Sequence, residues 1–139
     1  MFPQEVTGMR YSLVFLALMM AGTMLAGCGG LQKQVTLAPE KTEQVLPMKA
    51  SSFSFEPNNL KAYAGDTLDF RIENLSGRAH NFTMTGPGGE TIKDVDLSAY
   101  ETTAIKVTLK TAGTYEFYCN KPFHKSLGMK GQVVAVERK

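Results

Sequence analysis

Cys119, His124 and Met129 stand at even intervals in the stretch "FYCNKPFHKSLGMKG", each separated from the next by four residues. Thiolate, imidazole and thioether are soft or borderline donors, and a loop that leaves one strand and enters its neighbour can turn all three toward one point. Pro122 and Gly128 allow such a tight path. The other histidine of the chain, His80, opens the segment "HNFTM" 39 residues before Cys119. Two imidazoles, one thiolate and a weak axial thioether make the trigonal set that favours copper in electron transfer.

Each residue taken singly has a plainer reading. A lone cysteine in a β protein is usually a small buried hydrophobe, a methionine before a strand is usually core, and a lone histidine is usually surface. Taken jointly, both histidines and a cysteine of a two-cysteine chain fit one scheme. Met84 is a competing thioether, but in an extended strand it lies about 13 Å along the chain from His80, at about 3.3 Å per residue. Met129 is therefore the better axial donor.

The elements that must carry these residues read as short strands. "ASSFSFEP" alternates with Phe53 and Phe55 on one face, and Pro57-Asn58-Asn59 breaks it. "LKAYAGDTLDFRIEN" holds two strands around a Gly65-Asp66 turn, with Leu68, Phe70 and Ile72 pointing one way. "AHNFTM" is a third, followed by the loop "TGPGGE". In "TTAIKVTLK" the residues Ile105, Val107 and Leu109 share a face; in "GTYEFYC" Tyr115, Phe117 and Cys119 do. "QVVAVE" closes the chain. The expectation is an all-β domain, an antiparallel Greek-key sandwich or barrel of about seven to eight strands, over residues 49–139.

The N-terminus has a different character. "MRYSLVFLALMMAGTMLAGC" starts with Arg10, runs through the apolar stretch Leu13–Ala21 and ends in small residues before Cys28. That is the layout of an export signal and too short for a confident spanning helix; Met1 and Met9 are both possible starts. Leu25-Ala26-Gly27-Cys28 resembles the lipobox of bacterial lipoproteins, which implies removal of residues 1–27 and acylation of Cys28. Several acyl chains anchor stably, at about 0.8 kcal/mol per buried methylene. The protein is then exported and lipid-anchored to the cell membrane, facing the periplasm or the cell exterior. A lipidated Cys28 leaves Cys119 without a disulfide partner in an oxidising compartment, a liability unless a metal uses the thiol. From Cys28 to Met48 the chain is polar and proline-punctuated, and it is expected to be a flexible tether reaching on the order of 25 Å.

On these residues the sequence resembles the cupredoxins, or blue copper proteins. "FEPNNLKAYAGDTLDFRIENLSGRAHNF" is similar to their N-terminal signature and "AGTYEFYCNKPFHKSLGMKGQVVAV" to their C-terminal one, together covering about residues 50–138. The ligand spacing is closer to the auracyanin and rusticyanin branches than to plastocyanin. The resemblance implies His80, Cys119, His124 and Met129 as ligands of one copper ion cycling between Cu(II) and Cu(I). It also implies that Asn81 ties the two ligand loops together and steadies the cysteine sulfur. Phe123 is a departure, since relatives often carry glycine there, and it bears on the partner surface.

The functional expectation is a one-electron carrier rather than an enzyme: no carboxylate pair or nucleophile–base motif stands out. Its partners would be redox proteins such as cytochromes or respiratory and photosynthetic complexes. Phe82, Phe117 and Phe123 are candidates for a dry shell around the ion. The ring edge of His124 is the expected electron port, and His80 should be more buried. Lys121, Lys125 and Lys130 flank the ligands and form either a solvated loop or a basic rim that steers an acidic partner. The alternative is a copper-binding or copper-delivery lipoprotein without electron transfer, which would favour exposed, exchangeable ligands. A metal-free immunoglobulin-like module is disfavoured by the absence of tryptophan and of a second core cysteine. A net charge of +2, with no basic run interleaved with aromatics, argues against nucleic acid.

Overall fold

The computed structural model describes residues 31–139; the expected export signal and Cys28 lie outside them. Ten strands form two sheets packed face to face. They are β1 (Val35–Thr36), β2 (Glu43–Ser51), β3 (Ser54–Glu56), β4 (Asn59–Tyr63), β5 (Thr67–Asn74), β6 (His80–Thr85), β7 (Thr91–Leu97), β8 (Thr102–Thr108), β9 (Gly113–Tyr118) and β10 (Lys130–Val136). The larger sheet runs β1-β4-β10-β9-β6-β7 and the smaller β3-β2-β5-β8. The described residues contain no helix.

The expected all-β fold is present, as the sandwich of the two forms expected and not the barrel. Two features differ: among the described residues ten strands replace seven or eight. The sheets are also mixed: β1 with β4, β4 with β10, and β2 with β5 pair in parallel. The Gly65-Asp66 turn explains part of this. It does not close a hairpin but carries the chain from β4 in one sheet to β5 in the other. Gly65 takes a φ of 91°, and Asp66 accepts the Tyr63 N–H at 3.0 Å, so the corner is made locally.

The tether reading of residues up to Met48 is corrected. β2 begins at Glu43, and Leu46, Met48 and Ala50 alternate into the core against exposed Val45, Pro47 and Lys49. Pro47 is tolerated because β3 covers only Lys49–Ser51, leaving that stretch of β2 at an edge. Upstream, Gln32 N–H donates to Asn58 Oδ1 at 2.8 Å, β1 lies on β4, and Leu37 N–H donates to the Lys61 carbonyl. The chain is therefore bound to the domain from Gln32 onward. Phe53 is a second correction. It lies in the β2–β3 turn with a φ of 65°, off the face that Phe55 buries.

Between the sheets sit Phe55, Phe70, Phe82 and Phe117, all fully buried, with ring centroids 5.3–6.3 Å apart. Each buried phenylalanine contributes about 1.5–3 kcal/mol, and the pairs add about 0.5–1.5 kcal/mol apiece. Phe82 follows His80 by two positions and Phe117 precedes Cys119 by two, so this aromatic layer is the floor beneath both residues. Met84, the rejected thioether, pairs in register with Phe117 and belongs to the same core.

Candidate metal centre

His80 and Cys119 meet because β6 and β9 are antiparallel neighbours, with Thr83 opposite Tyr118. The start of β6 therefore lies beside the end of β9, where the ligand loop departs. The loop closes on itself through backbone bonds. Cys119 N–H donates to the Met129 carbonyl at 3.0 Å, and Met129 N–H donates to the His124 carbonyl at 2.9 Å. Gly128, with a φ of 112°, supplies the left-handed residue that turns the chain back into β10. The two ends and the apex of the excursion are thus brought to one place.

The ligand atoms of His80, Cys119 and His124 all lie within 4.8 Å of one another. His80 Nδ1 is 3.2 Å from His124 Nδ1, and Cys119 Sγ is 3.3 Å from the same His124 nitrogen. Imidazole nitrogens bind a first-row divalent ion at about 2.0–2.1 Å, so two of them around one ion stand on the order of 3–3.5 Å apart. The observed spacing fits one metal ion, and a donor set of two imidazole nitrogens and one thiolate sulfur fits copper. Met129 is fully buried at the foot of the loop, its backbone bonded to both Cys119 and His124.

The two histidines differ as expected. His80 is 2% exposed, whereas His124 is half-buried. Burial holds His80 below the ordinary histidine pKa, and the neighbouring His124 pushes in the same direction. The second ring nitrogen of His80 is anchored: Nε2 lies 2.8 Å from Ser76 Oγ. Phe53 packs edge-on against His124, with ring centroids 5.2 Å apart. Neither Ser76 nor Phe53 was legible as part of the site. The only hint was proximity in sequence, Ser76 standing four residues before His80.

Asn81 reaches the ligand loop indirectly. Its amide donates to Asp94 Oδ1 on β7 at 2.7 Å, and its own oxygen accepts from Thr83 Oγ1 at 2.6 Å. The same Asp94 oxygen accepts from Asn120, next to Cys119, at 3.4 Å. Phe123 is not part of a dry shell. It is 79% exposed, and Phe82 and Phe117 line the interior without it.

The three non-glycine residues of positive φ among those described are all aromatic: Phe53, Tyr100 and Phe123. Such backbone costs about 1–3 kcal/mol per residue and concentrates at functional sites. Phe53 touches His124, Phe123 adjoins it in sequence, and Tyr100 lies over Gly77 in the loop that leads to His80, where a β-carbon would stand 2.9 Å from its hydroxyl. All three are exposed at the metal end. Of the loop lysines, Lys121 is paired with Asp96 at 2.9 Å and Lys125 lies 3.9 Å over the Tyr118 ring.

A profile of the family described as copper binding proteins, plastocyanin/azurin family, matches residues 42–136. A chloroplastic plastocyanin of Hordeum vulgare is 32% identical over 121 residues, which is 83% of this chain and 70% of that protein. Among solved structures, rusticyanin from Thiobacillus ferrooxidans superposes with a TM-score of 0.60 at 22% identity, over 80% of this chain and 87% of that one. Auracyanin A, a "blue" copper protein from Chloroflexus aurantiacus, gives 0.57 at 23% identity, over 68% and 99%. At those identities the two structures show a shared fold.

Proposed function

Since the chain belongs to the plastocyanin/azurin family of copper-binding proteins, we propose that it is a membrane-anchored one-electron carrier. It holds one copper ion through His80, Cys119, His124 and Met129. The observation that carries this reading is the convergence of two Nδ1 atoms and one Sγ, all within 4.8 Å, at the end of a rigid sandwich. Copper supplies one-electron exchange between its +2 and +1 states. The chain's own residues keep the reorganisation small. His80 at the start of β6 and Cys119 just past the end of neighbouring β9 are buried over the phenylalanine floor, and the ligand loop is closed by its own backbone bonds.

The half-buried His124 is the way in and out. Around it Phe53, Phe123 and the exposed Leu127 make an apolar face on which a redox protein docks. Lys125 and Lys130 supply positive charge at its margin; Lys121 contributes less because Asp96 pairs with it. Cys28 carries the lipid, placing the domain outside the cytoplasmic membrane, in the periplasm or at the cell exterior.

Copper(II) added to the mature protein tests this reading. An intense thiolate-to-copper band in the visible, lost in Cys119→Ser, is expected, with reversible one-electron reduction. A faint ligand-field band alone would overturn the carrier in favour of copper delivery.

A further inference from the structure

We propose that the lipid anchor holds the metal end of the domain close to the bilayer, with the groove at Leu31 facing the headgroups and the His124 face left open beside it to a redox protein. This rests on acylation of Cys28 as proposed above. Leu31, half exposed, lines a groove beside the ligand loop together with Glu116, Tyr118, Lys125, Lys130 and Gln132. From Gln32 onward the chain is fastened to the domain, by Asn58 Oδ1, by Asn59 Nδ2 donating to the Gln32 carbonyl at 2.9 Å, and by the β1–β4 pairing. Only three residues therefore separate the pinned chain from Cys28. Even fully extended, the four steps from Cys28 to Gln32 span at most about 14 Å, at ~3.3–3.6 Å per residue. Two lysines against one glutamate at that point complement anionic headgroups. The turns at Gly65, Gly89 and Lys110 belong to the far end of the sandwich and point away. An electron entering or leaving at His124 is thus presented toward partners at the membrane surface.

The chain contains no tryptophan, so single reporters are clean. Leu127→Trp marks the ligand end and Lys110→Trp the opposite end. The mature, lipid-bearing protein is bound to vesicles of phosphatidylcholine and phosphatidylglycerol doped with a nitroxide-headgroup lipid. Leu127→Trp is expected to lose most of its emission while Lys110→Trp keeps it. Equal quenching, or stronger quenching at Lys110→Trp, overturns the orientation and leaves the anchor standing. Absence of acyl mass on Cys28 overturns both.

A separate observation carries a second inference, that Asn74 and Ser76 are positioning residues that fix the tautomer of His80. The fully buried Asn74 donates through Nδ2 to the carbonyls of Arg78, Leu97 and Ser98 at 2.8, 3.2 and 3.0 Å. Three carbonyl partners settle which side of the amide is nitrogen, so Asn74 Oδ1 faces Ser76 and accepts its N–H at 3.0 Å and its hydroxyl at 2.9 Å. The Ser76 hydroxyl has one proton, and its two near acceptors, Asn74 Oδ1 and the Arg78 carbonyl at 3.0 Å, can only accept. Ser76 Oγ must therefore accept from His80, so Nε2 carries the proton. That leaves the Nδ1 lone pair bare and aimed at Cys119 and His124.

Long-range proton–nitrogen NMR of the metal-free full chain reads this directly, without copper. The wild type is expected as the Nε2–H tautomer, Ser76→Ala as a mixture, and Ser76→Thr as the wild type again. Loss of such outer hydrogen bonds lowers metal affinity about 10–100-fold. Each tenfold by which the oxidised form is weakened more than the reduced raises the potential about 59 mV. A purely structural serine would change the melting temperature and neither of these readouts. An Nδ1–H tautomer in the wild type, or an unchanged tautomer and potential in Ser76→Ala, overturns the inference whether or not the protein proves to be an electron carrier.

Discussion

Phe53 meets His124 edge to face, with ring centroids 5.2 Å apart and planes at 89°. One ring comes from the β2–β3 turn and the other from the ligand loop, so the contact joins the two sheets across the mouth of the metal centre. Such an aromatic pair contributes about 0.5–1.5 kcal/mol beyond the area it covers. Phe53→Ala should therefore weaken copper binding by up to about tenfold, measured by competition with a chelator. The same contact is made without copper, so the metal-free protein should also lose about 0.5–1.5 kcal/mol of stability.

Met129→Leu should preserve the fold, because the exchange roughly conserves volume at a fully buried site. The backbone bonds of Met129 to Cys119 and His124 survive the substitution. If the thioether is the weak axial donor, its removal keeps the visible colour and raises the reduction potential, as voltammetry would read. A colourless protein would refute the axial role.

Gly131 is the second residue of β10, just after the ligand loop. A β-carbon there would collide with the Asn58 carbonyl oxygen and the Phe117 ring. Backbone cannot yield as a flexible side chain would, so Gly131→Ala should destabilise by about 1–3 kcal/mol or more. Denaturant unfolding measures it. Because Phe117 belongs to the floor under Cys119, the visible band should shift as well.

The metal-free protein should lose stability on mild acidification. Burial and His124 lower the His80 pKa below the ordinary 6.5 in the folded state, so the unfolded chain takes up its proton first. Stability from the neutral imidazole is full above that ordinary value and declines as pH falls from it toward the lower folded value. Melting temperatures measured from pH 8 down to pH 5 should fall accordingly. A flat profile would contradict the burial argument.

Electron exchange with an acidic redox partner should slow as salt is added. Lys130→Gln should flatten that dependence more than Lys121→Gln, because Asp96 already pairs with Lys121 and keeps its carboxylate charged below the usual range. Stopped-flow rates at several ionic strengths decide between them.

Period-two alternation was enough to announce the strands that matter most. Ile105, Val107 and Leu109, and Tyr115, Phe117 and Cys119, face the core as their spacing requires. The convergence of Cys119 with His124 was equally legible, since few uses explain a thiol and an imidazole so spaced in a short loop. β2 was not, because prolines and charges masked an alternation that only an edge position tolerates. β7 passed unnoticed for a related reason: of Thr91–Leu97 only Leu97 is buried, so the segment carries little apolar signal.

What the linear chain determined by itself is which atoms can bind copper and which faces must be buried, because both follow from residue type and local period. Tertiary structure alone decided what stands next to them. Phe53 reaches His124 across 71 residues of chain, and the Gly65-Asp66 corner sends β4 and β5 into different sheets. Asn74 and Ser76 orient His80 through hydrogen bonds whose partners come from the β5–β6 connection, the end of β7 and the residue after it. Such neighbours are set by sheet order and register, and no local pattern of side chains encodes those.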